Sequence, residues 1–117
     1  MAILENIVIG FVAILHFGFL ALEMLFWTKP LGLKTFNLTK ATAESSATLA
    51  ANQGLYNGFL GAGLLWGLFS GLTSVKIFFL ACVILAGAFG GLTAKRSILF
   101  IQGLPALVGL ILVILAR

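Results

Sequence analysis

The sequence has one cysteine, one histidine, two prolines and three acidic residues among 117 positions. A lone Cys82 rules out an internal disulfide and carries no redox information. No CxxC, HExxH or P-loop occurs, so the usual short signatures of redox, zinc-hydrolase and nucleotide chemistry are missing. Charge is scarce too: 9% of residues are Asp, Glu, Lys or Arg, 62% are hydrophobic and the mean hydropathy is +1.21. No soluble domain of this size hides so much apolar surface. The net charge of +4 is spread over the ends of apolar runs, which is not a nucleic-acid footprint. No Lys or Arg precedes the first apolar run, and that run is too long for a signal-peptide core. It reads as a permanent membrane span.

What is there in quantity is long apolar stretches. Ile3 to Trp27, about 25 residues, makes a helix of roughly 37 Å, enough to cross a ~30 Å hydrocarbon core with some tilt. Pro30 and Gly32 end it. Residues 28–46 form a polar loop with room for a short helix on the membrane surface. Further spans are expected over 47–70, 75–92 and 97–116, the last containing Pro105. The expected fold is an all-α, single-domain integral membrane bundle of four transmembrane helices over 1–117, in up-down order. Glycines recur at i,i+4, among them Gly54/Gly58 and Gly87/Gly91, and let helix backbones approach in lipid. They suit packing within one bundle, with a homo-oligomer as the other use. Lys29, Lys34, Lys40, Lys95 and Arg96 fall on one side, against Lys76 and Arg117 on the other. The positive-inside rule then puts loops 28–46 and 93–97 in the cytoplasm and both termini outside, in a bacterial inner membrane.

Few polar residues interrupt the spans, and these carry the functional reading. Glu5 and Asn6 lie near a helix end, within reach of water or headgroups. His16 and Glu23 lie inside the first span, two helical turns apart on one face. An ionised carboxylate there costs about 2.5 to 3.5 kcal/mol, so such a residue reads as functional by default. The second span carries Asn52, Gln53, Tyr56 and Asn57, paired at i,i+4, and the fourth carries Gln102. With that topology Glu23 and the polar groups of the second and fourth spans fall in the cytoplasmic half, with His16 near the midplane. A pocket lined by them suits a small amphipathic molecule. If it is catalytic, Glu23, His16 and Tyr56 would move protons. Asn52, Gln53, Asn57 and Gln102 would orient the ligand, and Trp27 and Trp66 would flank it. One His and one Glu two turns apart make a poor metal site, so neither a metal nor a cofactor is expected. Two rivals stand beside the binding or catalytic pocket. One is a proton-coupled transporter or exporter with Glu23 as the shared proton and substrate site. The other is a structural subunit in which the polar groups only clamp helices together.

The strings Leu15-His16, Leu22-Glu23, Trp27-Thr28-Lys29-Pro30, Ala51-Asn52-Gln53-Gly54-Leu55-Tyr56-Asn57-Gly58-Phe59, Leu65-Trp66-Gly67 and Gln102-Gly103-Leu104-Pro105-Ala106 together resemble the small bacterial membrane proteins catalogued as domain of unknown function 1304. The resemblance covers nearly the whole chain and implies a four-span inner-membrane protein. It implies no activity and no site residue. A looser likeness joins Glu23, Tyr56 and Trp66 to small multidrug-resistance transporters. The orientation bias and the absence of the other motifs separate the two.

Overall fold

The structure, a computed structural model, describes residues 2–117. It is all-α, and no strand occurs among the described residues. Helix α1 spans Ala2–Met24, α2 Pro30–Phe36, α3 Lys40–Ser70 and α4 Thr73–Thr93. Helix α5 runs from Arg96 to Leu115. Three of these, α1, α4 and α5, are long and apolar enough to cross a membrane. Helix α3, which carries Asn52, Gln53 and Asn57, is not in that group.

The helix ends follow from local chemistry. The last turn of α1 loosens, with the Phe26 N–H reaching back five residues to the Ala21 carbonyl. Pro30 then opens α2 at its first position, where a missing N–H costs nothing. Asn37 closes α2 in the left-handed region at φ 53°, its N–H turned back to Leu33 and Lys34. Thr39 caps α3: its Oγ1 accepts from the Thr42 N–H at 3.1 Å. The cap starts α3 seven residues ahead of Ala47, where the apolar pattern begins. Most of the segment read as a 28–46 loop is therefore helical.

Helix α5 contains a wider turn. Leu99–Gly103 is π-helical, and the Leu104 N–H donates to the carbonyl of Leu99, five residues back. Pro105 explains it: proline has no N–H for the carbonyl four residues earlier, and its ring crowds that carbonyl. The π-turn lies against α4 at Gly87. A Cβ on Gly87 would stand 2.6 Å from the Gly103 nitrogen and 2.7 Å from its Cα. Backbone touches backbone here, which only glycine permits.

The chain packs as two compact units. The first takes the chain up to Ile14 and Leu60–Arg117. Its core is Ile9, Val12, Ala13, Leu64, Leu80, Val83, Ala106 and Val113, all buried. On α1 the buried positions Glu5, Ile9, Val12 and Ala13 recur at helical spacing and form one stripe. The second unit is Leu15–Phe59. Its buried stripe on α3 is made of small residues, Ala43, Ala50, Gly54, Asn57 and Gly58. Trp27 anchors α2 there: its ring packs on Phe36 with centroids 4.9 Å apart, and Nε1 donates to Ser46 Oγ at 3.1 Å.

Candidate functional site

In the second unit α1 and α3 meet at Glu23. Gly54 makes the approach: a Cβ there would meet Met24 Cγ at 2.7 Å and Glu23 Cβ at 3.1 Å. One turn along the same stripe, Asn57 Nδ2 donates to Glu23 Oε1 at 2.5 Å. Glu23 is 7% exposed and Asn57 9%. An amide that donates to a carboxylate oxygen offsets part of the cost of taking that oxygen out of water. Asn57 occupies Oε1 alone, and Oε2 accepts no hydrogen bond from the described residues. No sealed side-chain nitrogen or oxygen among those residues lacks a partner, so Oε2 remains reachable from outside.

The other residues expected at this site separate into groups. His16, in the same unit, is fully buried, with Phe19 edge-on to its ring at 5.3 Å between centroids. Trp27 is half-buried and committed to Ser46 and Phe36. Asn52, Gln53 and Tyr56 share α3 with Asn57 but point away from its buried stripe, and all three are exposed. Tyr56 lies edge-on to Phe59 at 5.7 Å. Trp66 and Gln102 belong to the first unit, Trp66 exposed and Gln102 buried within the π-turn. Within the second unit, then, the expected polar face contributes one amide to Glu23 and turns the rest outward.

A second buried polar centre escaped the sequence reading. Glu5 is 2% exposed, so headgroups and water do not hold it. Its Oε1 accepts from Lys76 Nζ at 2.9 Å and from Arg117 Nη2 at 3.2 Å. Arg117 also donates through Nε to Thr73 Oγ1 at 2.8 Å. The triad ties the start of α1 to the start of α4 and the end of α5. One signal pointed to it: Lys76 and Arg117 were the only cations expected on that side, with one acid near them. For metals, no group of three His, Cys, Asp or Glu side chains gathers among the described residues.

Comparison with known proteins agrees with the residue strings. The sequence pattern of the family described as "Protein of unknown function (DUF1304)" matches residues 10–114. The chain is also similar to "Uncharacterized protein YpaA" of Lactococcus lactis subsp. lactis (strain IL1403). The two are 34% identical over 115 residues, covering 95% of this chain and 97% of that one. No solved structure matches. A match over that much of both chains is family membership: the chain belongs to the DUF1304 family of proteins of unknown function.

Proposed function

We propose that the chain is a four-span inner-membrane protein in which Glu23 is the polar centre of a site for a small amphipathic molecule. Helix α3 is the fourth crossing. At 31 residues it is about 46 Å long, more than a bilayer core requires. The connection from α1 through α2 to the start of α3 carries Lys29, Lys34 and Lys40, that from α4 to α5 carries Lys95 and Arg96, and both face the cytoplasm. On the opposite side Lys76 and Arg117 are both engaged by Glu5, which leaves the positive charge more one-sided than a count suggests.

The observation that carries the binding reading is the half-satisfied carboxylate. Asn57 holds Oε1, while Oε2 stays available to a ligand donor or to a proton. Catalysis by proton exchange, and proton-coupled transport, both rest on that same oxygen. The structural reading has an observation of its own: Asn57 gives Glu23 a partner within the chain, as a helix clamp would.

Native mass spectrometry of protein released from nanodiscs tests the proposal, with wild type beside Glu23→Gln and Asn57→Ala. The expected result is a small molecule retained by the wild type and lost from Glu23→Gln, in protein whose helix content by circular dichroism is unchanged. Identical bare spectra from all three overturn the binding reading and leave the clamp.

A further inference from the structure

A groove opens on the surface of the first unit beside the π-turn. Ile84 and Ala88 of α4 form one wall; Leu99, Phe100 and Leu107 of α5 form the other, with Gly103 between them. The lining is almost wholly apolar, and the space is about 240 Å³. That is below the ~300–1,000 Å³ typical of pockets that enclose a compact ligand. Its shape suits a flexible chain entering from the side.

The groove owes its form to Pro105. The proline forces the wide turn, and the wide turn displaces Leu99 and Phe100 from the positions a regular helix would give them. Just ahead of the groove stand Lys95 and Arg96. Both are exposed, and neither makes an ion pair among the described residues. Lys76 and Arg117, by contrast, are both held by Glu5. Arg96 precedes Leu99 and Phe100 by three and four residues, a spacing that puts it on their side of α5. Unpaired cations three and four positions ahead of the groove-lining Leu99, at the start of a helix apolar enough to cross a membrane, match a phosphate on an acyl chain.

We infer that this groove is a binding site for an anionic phospholipid, one acyl chain lying along Ile84, Ala88 and Leu107 and the phosphate resting on Lys95 and Arg96. The inference rests on α4 and α5 crossing the membrane and is independent of any role for Glu23. Arginine offers a planar, two-pronged donor set that suits a phosphodiester, and basic residues at the cytoplasmic ends of helices attract anionic headgroups. The apolar groove distinguishes a held lipid from general attraction to a charged surface.

The test is lipid retention by the purified full chain, from nanodiscs containing equal phosphatidylglycerol and phosphatidylcholine with identical chains. Native mass spectrometry reads the bound species. Wild type should retain phosphatidylglycerol preferentially. Lys95→Ala and Arg96→Ala should each reduce that preference about fivefold, and the double variant about thirtyfold. Ala88→Phe, which fills the groove and leaves both cations, should also lower phosphatidylglycerol retention. Leu107→Trp gives a second groove-filling variant should Ala88→Phe fail to fold. Equal retention of the two lipids by wild type overturns the inference. So does a preference that survives a folded groove-filling variant, because charge alone then accounts for it. A protein dimer that Ala88→Phe disperses, with no lipid preference in wild type, also overturns it and assigns the groove to a second copy of the chain.

Discussion

Asn57 Nδ2 lies 2.5 Å from Glu23 Oε1, a contact between residues 34 positions apart that joins α1 to α3. Glu23→Ala and Asn57→Ala should each destabilise the protein, and the double variant should lose less than the two singles combined. The coupling should be about 1 kcal/mol, within the range of interhelical hydrogen bonds in membrane proteins. A double-mutant cycle in a reversible unfolding assay in bicelles measures it. A coupling near zero would mean that the pair does not contribute to holding the helices.

Gly54→Ala should cost about 1–3 kcal/mol, because the new methyl meets Met24 and the Cβ of Glu23. Gly10 is the control on α1. A Cβ there has nothing within 4 Å, so Gly10→Ala should be neutral or slightly stabilising through helix propensity. Thermal unfolding of both variants compares them directly.

Glu5→Ala should leave Lys76 buried without its partner and cost about 3–5 kcal/mol. Replacing both, as Glu5→Leu with Lys76→Met, should cost less than Glu5→Ala alone, since no uncompensated charge is left behind. Arg117 is 40% exposed, so Arg117→Ala should cost less than about 1 kcal/mol. Denaturant titration in which Glu5→Ala is not the most costly of the three would contradict the triad as described.

Ser46→Ala should weaken the docking of α2 by about 0.5–1.5 kcal/mol through loss of the Trp27 hydrogen bond. Tryptophan fluorescence separates this local effect from global unfolding. Trp27 should report the change in a Trp66→Phe background, where it is the remaining tryptophan.

The sequence made some of this legible and hid the rest for identifiable reasons. Unbroken apolar runs announced α1, α4 and α5, and Pro30 marked the close of the first run. The early start of α3 was missed because the apolar pattern begins at Ala47, while its cap is Thr39, in a polar stretch. On α3 the polar residues drew attention as a group, yet burial follows the small ones. Ala50, Gly54 and Gly58 trace the buried stripe, and Asn57 alone of the four lies in it. Gln53 is one turn from Asn57 and still faces out, because at 3.6 residues per turn it falls about 40° further round the helix, outside the arc of buried residues. The Glu5–Lys76 pair joins positions 71 apart, a distance over which local pattern carries no information. The π-turn could have been expected ahead of Pro105, but its close backbone contact with Gly87 joins residues too far apart for local pattern to show.

The two units differ in how they can form during synthesis. Leu15–Phe59 is one continuous segment, and its Glu23–Asn57 contact needs nothing downstream of Phe59. The other unit is discontinuous. Glu5 leaves the ribosome well before Lys76 and waits longer still for Arg117. The segment around Glu23 can therefore settle while the first turns of α1 still lack their neighbours, and the charge triad closes only after α5 is made. Glu5 then acts as a two-stage latch on assembly: its carboxylate gains Lys76 once α4 is made and Arg117 only once α5 is in place.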